Sequence, residues 1–98
     1  MDEITFKTLS DKMLSNFADS TEAADEKGEL DVDYQSGVLT ITLANKKQYV
    51  INQHVPMRQI WLSSPISGAA HFDYANGSWK STRGGDDLLD LLQREFQF

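Results

Sequence analysis

A two-layer α+β sandwich is the fold class this sequence predicts: two terminal helices packed on one face of an antiparallel sheet of about six strands. Three observations predict it. Both ends of the 98-residue chain carry apolar residues at helical spacing. The middle carries short runs in which apolar and polar residues alternate with period two. Turn signals separate those runs, Asn76-Gly77 being the strongest, and leave no room for the long crossovers that parallel strands require. Helices at opposite ends of the sequence can then lie side by side on one sheet face, within a single domain spanning residues 1–98.

Residues 4–27 read as the first helix. Phe6, Leu9, Met13, Phe17 and Ala24 fall within about 80° of one another at 100° per residue, which makes one apolar stripe. Asp11, Asp19, Glu22, Asp25 and Glu26 fall on the opposite side, within about 120°. Gly28 is the expected stop, with Lys27 in the last turn, where a cation meets the negative end of the helix. Next, Leu30, Val32 and Tyr34 point one way and Glu29, Asp31 and Asp33 the other. Asp is a poor strand former, and charges of this kind suit a sheet edge.

Ser36-Gly37 is a turn, and Val38–Leu43 alternates with Leu39, Ile41 and Leu43 inward. Ala44–Lys47 turns again, and Gln48–Asn52 is the third strand. Pro56 lies in the following loop, since it cannot donate to a ladder. Gln59–Ser63 is the fourth strand and Ser64–Ala70 a loop. His71–Ala75 and Ser78–Lys80 flank Asn76-Gly77 as a hairpin. Gly84-Gly85 breaks the sheet, and Asp86 and Asp87 open a last helix, where acids favour the positive end. Leu88, Leu89, Leu91, Leu92 and Phe96 keep helical spacing there, and Asp90 with Arg94 forms an i,i+4 pair.

Charge is distributed unevenly over these elements. Residues 1–33 hold ten acids and three bases, a net −7, whereas residues 34–98 hold six bases and five acids, a net +1. Crowded like charges repel, so the first third loses stability unless a cation or a basic partner relieves it. A solvated helix face and an edge strand guarded against aggregation would carry the same charges. The acidic balance argues against nucleic acid, which needs clustered Lys and Arg. Cysteine is absent, which removes disulfides, thiolate metal sites and cysteine nucleophiles. No apolar run opens the chain, so neither a secretory signal nor a membrane span is expected.

One strand points an aromatic outward. Ile60 and Leu62 assign one face of the fourth strand to the core, which leaves Gln59, Trp61 and Ser63 on the helix-free face. The same parity puts Asn52, His71 and Asp73 on that face and makes Trp79 a core residue. Asn52, Gln59, Trp61 and His71 are therefore the candidate partner-binding residues, because Trp is enriched where interfaces concentrate their energy. Cross-strand packing that merely covers the sheet is the alternative.

These residues carry a resemblance. Tyr49-Val50-Ile51-Asn52, Pro56, Gln59-Ile60-Trp61-Leu62-Ser63-Ser64-Pro65 and Ser67-Gly68 closely resemble the frataxin family. His71-Phe72-Asp73-Tyr74, Trp79 and the Asp90-Leu91-Leu92 helix extend the match over nearly the whole chain. With no targeting extension before it, the chain looks like the bacterial, CyaY-type form, which implies a bacterial cytoplasmic protein. The resemblance implies an α-β-α sandwich, weak iron binding at the acidic ridge and regulation of iron–sulfur cluster assembly. It also implies a cysteine desulfurase and the cluster scaffold protein as partners, and a monomer when metal is absent. His54 stands where many relatives carry Gln, and His71 where some carry Arg. Relatives with a longer C-terminal tail cover the gap between the helices with it; Phe96 and Phe98 are expected to fill part of that gap here.

Carboxylates are hard ligands that suit Fe²⁺, Fe³⁺, Mn²⁺, Ca²⁺ and lanthanides. No spacing encloses a metal, so the expectation is shallow sites of one to three carboxylates plus water. The candidate metal ligands are Asp19, Glu22, Asp25, Glu26, Glu29, Asp31 and Asp33, with Asp2, Glu3 and Asp11 behind them. Selectivity for iron comes from the resemblance alone. No nucleophile–base pair or phosphate loop is visible, so an enzyme is not expected, weak iron oxidation being the one catalytic version considered.

Overall fold

A computed structural model describes residues 1–96; Phe98 lies outside the described residues. The element order is α1 (Glu3–Ala24), β1 (Asp31–Gln35), β2 (Val38–Thr42), β3 (Gln48–His54), β4 (Gln59–Ser64), β5 (Gly68–Ala75), β6 (Ser78–Ser81) and α2 (Leu88–Phe96). Each strand pairs antiparallel with the next, so the sheet runs β1 to β6 in sequence order. Two of its hairpins close on two-residue turns whose central residues both have positive φ, Ser36-Gly37 and Asn76-Gly77. This is the turn whose twist matches that of paired strands. Gly37 suits the turn because its φ is +79°, and an added Cβ would push aside the far end of the Gln53 side chain.

The core lies between the sheet and both helices. Leu39, Ile41, Tyr49, Ile51, Ile60, Leu62, Phe72 and Trp79 meet Phe6, Leu14, Phe17, Ala18, Leu88 and Leu92 there. Trp79 is a core residue, set edge-on to Phe6 and to Tyr74. Phe96 packs on Tyr49 and Phe17, at the seam between the two helices. Among the described residues no helix is long and apolar enough to cross a membrane.

Several details differ from the sequence reading. The buried face of α1 is Phe6, Ser10, Leu14, Phe17, Ala18 and Thr21, with Leu9 and Met13 half-buried and Ala24 exposed. The face is turned by roughly 60° because Ser10 serves as an inward residue: its hydroxyl bonds the Phe6 carbonyl and accepts from the Gln53 amide, which polar–apolar patterning could not show. α1 also stops at Ala24, three residues before the expected end. The Asp25 carboxylate accepts from the Glu29 and Leu30 amides at 3.0 and 2.9 Å, a local bond that competes with further helix. β3 runs two residues further, to His54, and β5 starts three residues earlier, at Gly68. On α2, Asp87 caps the first turn by accepting from the Asp90 amide, and Arg94 pairs with Asp86 at 3.9 Å rather than with Asp90.

Candidate functional site

Two surfaces carry the candidate residues. The first is an acidic band along the β1 edge of the sheet. In β1, Val32 and Tyr34 are half-buried against the core, while Asp31, Asp33 and Gln35 are exposed on the opposite, helix-free face. α1 lies above β1 and contributes Asp11, Asp19 and Glu22, all exposed. Asp11 accepts a bond from the Tyr34 hydroxyl, which ties the two elements together. Burial first, then that bond, pushes the Tyr34 phenol well above its ordinary value. The band therefore wraps around the edge strand, with helix acids on one side of it and strand acids on the other.

The candidates differ in how free they are. Asp19, Glu22, Glu26, Glu29 and Asp31 are exposed, and Asp33 accepts a bond from the Gln35 amide at 3.0 Å. Asp25 is half-buried and committed to the turn it caps. Asp2 caps the start of α1 by accepting from the Thr5 amide at 2.7 Å, a bond that lowers its pKa. Glu3 pairs with Lys7 at 3.1 Å. Both lie about 28 Å along the helix axis from Glu22, so they do not join the band. Among the described residues, the ion pairs are Lys7–Glu3, Lys80–Asp87 and Arg94–Asp86, and none involves an acid between Asp11 and Asp33. Among the described residues, no three His, Asp or Glu side chains come together to hold a metal ion. Among them, therefore, no three-carboxylate cluster, the upper end of what the sequence suggests, is assembled.

The second surface is the helix-free face of β3, β4 and β5. Trp61 sits directly opposite Asn52 on β3 and His71 on β5. Its indole lies between two imidazoles. His54 stacks on one face, with ring centres 3.6 Å apart and planes 6° apart. His71 stacks on the other, at 4.1 Å and 7°. The Trp61 Nε1–H donates to Gln59 Oε1 at 2.9 Å, and the Gln59 amide donates to Asp73 at 3.0 Å. Asn52, Gln59, Trp61 and His71 are therefore brought onto one face together. Sequence reasoning missed His54 because it ended β3 at Asn52; continuing the strand's alternation by two residues would have placed it there.

Besides its core contacts, α2 is tied to the sheet by one carboxylate. The Glu95 carboxylate accepts from the hydroxyls of Tyr49, Ser64 and Ser67 at 2.9, 2.5 and 2.7 Å. Burial pushes this carboxyl up, but the three bonds, Ser64 and Ser67 foremost, outweigh it and hold the group below its usual range. The Tyr49 phenol is pushed up to about 12, by burial first and then by its bond to Glu95. Ser64 also accepts the amides of Ile66 and Ser67, so the same contact shapes the β4–β5 loop.

The fold and these surfaces define a class: a small α–β sandwich with an acidic edge and a tryptophan-centred sheet face. The family model for the frataxin-like domain matches residues 1–98, and the chain belongs to that family, whose members are associated with iron and iron–sulfur cluster biogenesis. A mitochondrial frataxin homolog from Schizosaccharomyces pombe is 42% identical over 88 residues, covering 88% of this chain and 55% of that protein. The mitochondrial homolog from Saccharomyces cerevisiae is 40% identical over 91 residues, covering 90% of this chain and 52% of that protein. The chain thus spans about half the length of the curated relatives it matches. Among solved structures, trimeric frataxin from Saccharomyces cerevisiae complexed with ferrous iron superposes with a TM-score of 0.83 at 39% identity, covering 91% of this chain and 82% of that one. Frataxin from Psychromonas ingrahamii, of the CyaY protein family, gives 0.82 at 27% identity, covering 98% of this chain and 89% of that one.

These relatives overturn one expectation. The missing targeting extension implies a bacterial cytoplasmic location, but three curated relatives of 35–42% identity are mitochondrial proteins of eukaryotes. A chain spanning half of its relatives has a first residue that says nothing about what precedes the domain.

Proposed function

We propose that this chain binds iron weakly along its acidic band and regulates iron–sulfur cluster assembly by docking on the cysteine desulfurase and its scaffold protein. The observation that carries this reading is the run of exposed carboxylates on α1, the following turn and β1, with no base paired to the acids between Asp11 and Asp33 among the described residues. Hard carboxylates suit Fe²⁺ and Fe³⁺, and the yeast relative solved with ferrous iron supports iron as the cation. Dispersed ligands make the binding weak and let Mn²⁺, Ca²⁺ or a lanthanide compete. The proposed role is regulatory rather than catalytic. The same carboxylates attract a basic surface on a partner, so metal and partner bear on each other's binding.

The decisive experiment is desulfurase-driven cluster formation, with and without this protein, across a range of iron concentrations. The expected result is a change in rate that depends on iron and is blunted when Glu22→Gln and Asp31→Asn are combined. A second reading, an acidic interaction module without physiological metal, is favoured by one observation: no three ligands converge among the described residues. An effect on rate that is the same at every iron concentration would select it, and no effect at all would contradict both.

A further inference from the structure

We propose that His54 and His71 are positioning residues that clamp Trp61 between them, so that the sheet face meets its partner with a preset indole edge. The inference rests on the docking proposed above, takes the tryptophan face as part of the docking surface, and adds what makes the indole competent for it. Both faces of the indole are covered, by imidazoles lying nearly parallel to it at 3.6 and 4.1 Å. Its one donor is used by Gln59, which Asp73 holds in turn. A partner therefore cannot stack on this ring; only the remaining edge is offered, together with the outer surfaces of the two imidazoles.

The histidines are placed by the sheet rather than by hydrogen bonds of their own. His71 is opposite Trp61 on β5, and His54 is opposite Gln59 on β3, diagonal to the indole. Among the described residues, the buried His54 Nδ1 has no hydrogen-bond partner. Stacking on Trp61 is thus the contact that accounts for its ring orientation. An indole on an open sheet would have to give up its rotameric freedom when bound, whereas this one is already ordered, which favours association. Since the clamp needs flat rings rather than particular nitrogens, phenyl groups should replace the imidazoles.

The test uses the folded protein and a purified cysteine desulfurase–scaffold complex. His54→Ala and His71→Ala should each weaken binding by about 3- to 10-fold, the scale of one newly mobile anchor. His54→Phe and His71→Phe should restore it. In the free protein, the Trp61 indole N–H resonance should move and broaden in the alanine variants and return in the phenylalanine ones, with the melting temperature little changed. If the alanine variants bind like the parent while Trp61→Ala does not, the clamp is overturned and docking stands. If Trp61→Ala also binds like the parent, the tryptophan face takes no part in docking and the clamp is overturned with it, while docking through the acidic band stands. Loss that phenylalanine does not repair would assign the histidines direct polar contacts and contradict positioning.

Discussion

Carboxylates that look alike in the sequence do opposite things in the fold, and single substitutions should separate them. Glu95 accepts three hydroxyl bonds, two of them from the buried Tyr49 and Ser64. Glu95→Ala leaves those hydroxyls unmatched and should lower the unfolding free energy by about 2 kcal/mol in urea. The pH dependence has a definite sign. The folded pKa of Glu95 lies below its ordinary value of 4.5, so the unfolded chain takes up the proton first. Its stabilisation is complete above that value and is lost as pH falls through the lower, folded one. Acid unfolding of Glu95→Ala should therefore show a shallower loss of stability below about pH 4.5 than that of the parent.

On the band the sign reverses. Glu22 and Asp31 have no base beside them among the described residues, so Glu22→Gln or Asp31→Asn relieves repulsion. Each should raise the melting temperature slightly, worth about 0.2–0.5 kcal/mol, with the gain shrinking as salt is added. Asp25→Ala should instead lower stability by about 1 kcal/mol, because it removes the cap on the Glu29 and Leu30 amides. A drop in melting temperature for both Glu22 and Asp31 variants would mean that these groups have native partners.

At the scale of elements, turns and strand alternation do most of the specifying. Gly37→Ala tests this directly: the positive φ should cost about 1 kcal/mol, read by urea unfolding. Two helices, six antiparallel strands, the outward Trp61 and the buried Trp79 were all legible, since period two and the Asn76-Gly77 turn act locally. Other features were not. The end of α1 depends on the Asp25 side chain accepting from the Glu29 and Leu30 amides that follow it, and hydrophobic periodicity carries no trace of such a bond. The helix face is set by Ser10 meeting Gln53 across 43 residues of sequence. His54 joined the site only because β3 continues two residues past Asn52.

Across the whole molecule, the sequence's charge asymmetry becomes a spatial one. Acids of α1, the 25–30 turn and β1 gather at one edge of the sheet, while the tryptophan face occupies its middle. The bend of the band around β1 is not legible in the sequence, because the placement of α1 over β1 is a tertiary fact that neither element's own pattern carries. That bend spreads the acids, so the proposed cation sites would be weak rather than tight. Charge of one sign on an open edge also makes partner capture sensitive to salt: raising ionic strength well above 0.15 M, where the screening length is about 8 Å, should weaken it markedly. Capture unaffected by salt would assign docking to the tryptophan face alone.

The account turns on whether hard cations settle on that edge. Titrating the ¹⁵N-labelled protein with Fe²⁺ under anaerobic conditions, and in parallel with a lanthanide, reads this residue by residue. Broadening should begin at Asp19, Glu22, Glu26, Glu29, Asp31 and Asp33, remain within residues 11–33 and saturate only at high metal concentration. Spectra unchanged at millimolar metal, or broadening centred on Asp86, Asp87 and Asp90 instead, would contradict it.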